Sequence, residues 1–154
     1  MVRCSSNIAP IRTMRVNATN SACVETRTEI DSHADTCVVG DNTLLFHDFD
    51  RPVNVTGYDK STGIKKNCRT TSAAVAYDSP NGGEVIVLVI HQAIYIPGMD
   101  HNLVCPMQVR VNDVYLHDVP KFLTPRPSND THALAFDTGD NRYVIPLFLS
   151  EVTS

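Results

Sequence analysis

The chain has 154 residues, enough for one domain with a sizeable core, and its 42% hydrophobic and 19% charged content excludes wholesale disorder. A formal net charge of −4 and a pI near 5.8 exclude the basic face that a nucleic-acid-binding domain carries. The five cysteines are scattered without a Cys-x-x-Cys pair, which suits neither a disulfide framework nor a zinc finger and points to reduced thiols in an intracellular, cytoplasmic setting.

In chain order, residues 1–23 are rich in Ser, Asn and Thr, lack sustained periodicity and read as a loose arm. No apolar core of signal-peptide length occurs there. Val24–Ile30 alternates as a strand and runs into a turn at Asp31, and Thr36–Val39 is a second β-prone piece ending at Gly40. Val53–Tyr58 and Ile64–Thr71 flank Asp59-Lys60-Ser61-Thr62-Gly63, a polar tip ending in glycine that predicts a β-hairpin. Lys65, Lys66 and Arg69 are the densest basic patch and read as its solvated surface. Ala73–Tyr77 and Glu84–Ile90 flank a second turn, with the run Val85–Ile90 predicted as a central strand buried on both faces. That run is also the longest purely apolar one, too short to cross a bilayer.

Ala93–Ile96 then leads to a Pro97-Gly98 turn, and Pro106–Val111 predicts a short helix with proline at its first position. Beyond Pro120, LTPRPSND reads as a linker before a last hairpin, Ala133–Phe136 and Tyr143–Leu149, around DTGDN. Helical periodicity of any length is absent, so the expected class is all-β with one short helix. The Asn-x-Ser/Thr triplets at Asn17, Asn54 and Asn129 are ascribed to chance.

The segment TEIDSHADTCVVGDN, residues 28–42, carries the chemistry. A carboxylate at a strand end, in a turn with apolar flanks, is fixed in place and partly desolvated, as an acid or base catalyst must be. A lone aspartate there is equally a turn cap. Peptide hydrolysis by carboxylates needs two, one to deprotonate water and one to protonate the substrate. A small domain obtains the second by pairing with a copy of itself about a two-fold axis.

IDSHADTCVV resembles the active-site segment of retropepsins, the aspartic proteases of retroviruses and retrotransposons. Their pattern is an apolar residue, Asp-Ser/Thr-Gly-Ala, frequently a second Asp, then a β-prone stretch. Ile30, Asp31, Ser32, Ala34, Asp35, Val38 and Val39 match it, and His33 stands where the family has glycine. A second block, AIYIPGMDHNLVCPMQVRVNDV at residues 93–114, is similar to the closing segment of copia-type retrotransposon proteases. NVTGYDKSTGIK lies where the family carries its flap.

The resemblance covers residues 24–124 and implies a closed β-barrel with its active site at a dimer two-fold axis, followed by a C-terminal extension at 125–154. It implies an aspartic endopeptidase that processes a retrotransposon polyprotein in the cytoplasm or within virus-like particles. Self-association and a peptide substrate are implied; a cofactor, a metal, nucleic acid and a membrane are not.

Carried over by position, the resemblance implies these roles: Asp31 from each subunit forms the catalytic dyad. Ser32, His33 and Ala34 support the turn, with Ser32 bracing the paired turns and small Ala34 lying against substrate. Asp35, Gly57, Tyr58 and Gly63 bind substrate, the last three from the flap. Leu103 and Val104 pack beneath the turn. His33 costs about 1 kcal/mol or more if its φ is positive.

Two rival readings come from the same turn. A dyad blocked by His33 leaves a domain kept for dimerisation or binding. Alternatively, Asp31-x-His33-x-Asp35 offers ligands at alternate positions, as a metal-dependent hydrolase needs. Thr36 stands where that motif wants its second histidine, and His47, His91, His101, His117 and His132 are isolated. Asp137-Thr138-Gly139 repeats the aspartate motif but leads into Asp-Asn-Arg, so it reads as a hairpin turn. Cys105 reads as a buried structural thiol.

Overall fold

A computed structural model describes residues 27–57, 63–79 and 85–149. Tyr58, the hairpin tip at 59–62, the arm at 1–23 and the start of the first predicted strand lie outside the described residues. The protein is mostly β-sheet with one short helix. Its strands are β1 (Arg27–Ile30), β2 (Val38–Val39), β3 (Leu44–Asp48), β4 (Val53–Thr56), β5 (Ile64–Asp78), β6 (Val85–Tyr95), β7 (His101–Val104), β8 (Tyr115–His117), β9 (Ala133–Thr138) and β10 (Asn141–Pro146). The helix α1 spans Pro106–Val111, as the sequence predicts.

The chain divides by compactness after Cys105. Residues 106–124 therefore group with the terminal hairpin, because Tyr115–His117 forms a ladder with β9 that the sequence pattern did not reveal. In this C-terminal unit β9 is central, in the order β10-β9-β8. Ala133, Leu134, Ala135 and Phe136 are all buried, and the Phe136 ring stacks on Tyr143. The hairpin turns at Gly139-Asp140, where Gly139 takes φ 61°, so Asp137-Thr138-Gly139 is turn chemistry. Asp137 is held by the Arg142 guanidinium at 3.0 Å, and Arg142 also bonds Asp130. Ser128 and Thr131 cap each other, which makes the supposed linker a structured turn.

In the unit that ends at Cys105, the sheet runs β1-β7-β2-β6-β5-β3, with β4 paired to β5 off that path. β1 is parallel to β7, β2 antiparallel to β7 and parallel to β6, and the β5–β6, β3–β5 and β4–β5 pairs are antiparallel. The core holds Cys37, Val38, Val39, Cys68, Ala73, Val75, Ile86, Ala93, Val104 and Cys105.

The expected closed barrel is not what the described residues form. The strand path is open, with β1 at one edge and β3 at the other, and no ladder joins them. β5 is one continuous strand of 15 residues where two were predicted, and β6 likewise runs through to Tyr95. Both bend instead of ending. Between Thr71 and Ala73 the β5–β6 register slips, with Gln92 at φ 57° taking up the extra residue, and the β3–β5 register slips opposite, between Leu45 and His47. The buried polar groups at the bend are satisfied. Thr71 Oγ1 donates to the His47 carbonyl at 2.6 Å, and Ser72 Oγ lies 2.9 Å from His91 Nδ1.

The run Val85–Ile90 is not buried on both faces: Val89 is 41% exposed. β2 reaches only Ile94 and Tyr95 on β6, and β3 stops at Ala74 on β5. Among the described residues the far ends of β5 and β6 pair only with each other, and water reaches one face there while Val75 and Ile86 stay buried on the other.

Candidate active site at the Asp31 turn

β1 and β2 follow one another in sequence, yet β7 lies between them. Residues 31–37 must therefore bridge two strand spacings, about 9.5 Å, across the end of β7. Four consecutive pairs, from Arg27↔His101 to Ile30↔Val104, fix β1 on β7, and the Asp31 N–H extends the ladder by donating to the Val104 carbonyl at 3.1 Å. On the other side Val38 pairs with Leu103, and Ile94 and Ile96 donate to the Cys37 and Val39 carbonyls.

The bridge begins with a tight turn. The Ala34 N–H donates to the Asp31 carbonyl at 3.3 Å, and the His33 N–H donates to Asp31 Oδ1 at 2.9 Å. Asp31 thus caps its own turn through its side chain. The carboxylate is half-buried, whereas Ser32, His33 and Asp35 are exposed and Ala34 is half-buried. His33 is not among the residues with positive φ, so the feared backbone cost of replacing glycine does not arise. Its ring Nδ1 lies 3.8 Å from Asp31 Oδ1 and 3.5 Å from Ser32 Oγ, with the side chain 80% exposed.

Asn102 braces the bridge from below. It is fully buried in the middle of β7; its Oδ1 accepts the Gly40 N–H at 3.0 Å and its Nδ2 donates to Thr28 Oγ1 at 3.1 Å. One amide thereby ties β1 to the residue that follows β2. Gly40 has no room for a side chain, since a Cβ there would stand 2.0 Å from the Met99 carbonyl oxygen. Cys37 and Cys105 complete the floor: the Cys105 N–H donates to Cys37 Sγ at 3.3 Å, and both are buried and unbridged. Burial pushes the Cys37 thiol up to about 11, overriding the opposite pull of the Cys105 N–H, so the sulfur is neutral at pH 7 and structural.

The structure thus brings Asp31, Ser32, His33, Ala34 and Val104 together, with Leu103 half-buried beside them on β7. Gly57 and Gly63 belong to the β4–β5 ribbon, where Gly63 takes φ 72° and faces open space. Asp31, His33 and Asp35 do not form a ligand set: among the described residues no three His, Cys, Asp or Glu side chains gather to hold a metal ion. Asn102 lies in the second block of the resemblance and Gly40 ends the second β-prone piece, but neither receives a role from the sequence. The available signal was a lone amide at an inward position of HNLV, one alternation from Val104.

No family model, curated protein or solved structure matches the chain. Among the described residues no helix is long and apolar enough to cross a membrane.

Proposed function

We propose that the chain is a homodimeric aspartic endopeptidase of the retropepsin type, acting on a copia-like retrotransposon polyprotein. The observation that carries the reading is the Asp31 carboxylate on a turn bridging β1 and β2 over the end of β7, locked by Val104, Asn102 and Cys105. Such bracing is more than a surface turn needs, and it is what a group that must hold a water against a scissile carbonyl requires. Two Asp31 carboxylates meeting at a two-fold axis share a proton and titrate as a coupled pair. The ionised member deprotonates the water and the protonated one donates to the carbonyl oxygen. The aspartic-protease dyad is itself a standard case of this chemistry. The β4–β5 ribbon, off the main strand path, serves as the flap over an extended peptide.

The deciding experiment expresses the full chain beside the adjoining polyprotein sequence and follows processing. Asp31→Asn is expected to lower cleavage by at least about 100-fold while dimers persist in sedimentation, since acid–base help of this kind is worth 10²–10⁴. Wild-type chain that dimerises and never cuts defeats the protease reading. It favours the second one, a dimerisation or binding domain, whose motivating observation is that Asp31 Oδ1 already has the His33 amide as a partner.

A further inference from the structure

The residue most at odds with the aspartate motif is His33, and its placement gives it work to do. Its own N–H holds Asp31 Oδ1 at 2.9 Å, which fixes the residue on the carboxylate, and its ring Nδ1 stands 3.8 Å from the same oxygen. The ring is nevertheless 80% exposed. Its backbone is unstrained, so the side chain is accommodated by the turn and does not distort it. Whatever lies on the Asp31 carboxylate therefore lies against this imidazole as well.

From these distances we infer that His33 is a specificity-determining residue, selecting peptides with a carboxylate or amide side chain next to the scissile bond. The inference rests on the protease reading and names its substrate class. Ser32 Oγ lies 3.5 Å from Nδ1. When that hydroxyl donates to Nδ1 the proton sits on Nε2, and when the ring is protonated both nitrogens carry hydrogen. In either state Nε2 is a donor, and the complementary substrate atom is an acceptor. If instead the neutral ring carries its hydrogen on Nδ1, toward Asp31 Oδ1 or Ser32 Oγ, Nε2 accepts; an amide side chain suits every state of the ring, and a carboxylate suits the two in which Nε2 donates. Asp or Glu suits the protonated ring best, and Asn or Gln the neutral one. A glycine at this place, as in the resembled motif, offers a peptide no such partner.

The test uses the full chain and a peptide mixture of randomised sequence, with cleavage sites read by mass spectrometry. Wild type should favour Asp, Glu, Asn or Gln over Leu at one position flanking the cut by about tenfold, the worth of one hydrogen bond to a charged group. His33→Gly should erase that preference and His33→Leu should reverse it, while His33→Gln, which keeps a donor, should retain part of it. Circular dichroism establishes that each variant is folded. An unchanged profile in folded His33→Gly and His33→Leu overturns the assignment. So does an inert wild type alongside an active His33→Gly, because the ring then obstructs the site. If no variant cuts and Asp31→Asn changes nothing, the protease reading itself has failed and takes the assignment with it.

Discussion

The Asp31 turn and the β4–β5 ribbon lie in the same compact unit and are built on opposite principles. The turn is a loop with the constraints of a core. Its entering strand is laddered to β7, its leaving strand is held between β7 and β6, and a buried amide and a buried thiol lie beneath it. The ribbon is a pair of strands with the constraints of a loop. Among the described residues β4 pairs with β5 alone, the register slips between Val53 and Val55, Asn67 stands at φ 57°, and Ile64 is 57% exposed. Its base is pinned to the rest of the unit. Arg69 Nε donates to Asp48 Oδ2 at 2.7 Å, and Thr70 Oγ1 donates to the Arg51 carbonyl at 2.8 Å. In the proposed protease the first arrangement suits chemistry at a carboxylate, which tolerates little displacement, and the second suits a cover, which must open.

The contrast is broken hardest at Gly40. Gly40→Ala drives a methyl into the Met99 carbonyl, a backbone atom that cannot swing away, and Asn102 and Thr43 bond to the same glycine. The expected loss is about 3 kcal/mol, the upper end for overpacking, seen as a fall in Tm on the order of 10 °C. A melt within 2–3 °C of wild type, roughly the shift of 1 kcal/mol at this size, would mean that the floor of the turn is looser than drawn. Next comes Asn102→Ala, which orphans the buried Gly40 N–H and leaves the exposed Thr28 hydroxyl to water. About 2 kcal/mol should be lost, and cleavage should fall further than the population of folded protein does. If the two fall together, Asn102 stabilises the fold without positioning Asp31.

Cys37 sharpens the same point through pH. Its thiol is raised from 9.0 to about 11 in the folded chain, so the folded state holds its proton longer than the unfolded state does. That contribution is complete below pH 9 and is lost as pH climbs through 11, with stability falling as pH rises across this window. Denaturant midpoints from pH 8 to 11 should therefore drop more steeply for wild type than for Cys37→Ala. Equal slopes would place the thiol in contact with water.

Much of this is legible in the sequence. The turn at Asp31, the helix Pro106–Val111, the Pro97-Gly98 turn and the hairpin around Gly139 follow from local chemistry: a strand interrupted by turn formers, a proline at a helix start, glycines at positive φ. What was not legible is non-local. A bulge such as that at Gln92 looks in sequence like the end of a strand, so β5 and β6 were each cut in two. The ladder of β8 with β9 joins residues far apart, and three residues carry too little pattern to announce it. Asn102 was visible as a letter, but its role exists only because β7 inserts between β1 and β2.

The mildest change tests the ribbon itself. Gly63 takes φ 72° at the start of β5, yet a Cβ there would meet nothing within 4 Å. Gly63→Ala therefore carries only the intrinsic left-handed cost, about 1 kcal/mol, with no steric contribution. Because among the described residues neither β4 nor residues 64–68 of β5 pair with a further strand, that cost should fall on the local opening of the ribbon and leave global unfolding nearly untouched. Amide exchange should quicken in Val53–Thr56 and at the start of β5, while the amides of Asp31, Ile94 and Ile96 keep their protection. Uniform acceleration across both regions would mean that they unfold as one cooperative unit. The ribbon could not then move independently of the turn that it is proposed to cover.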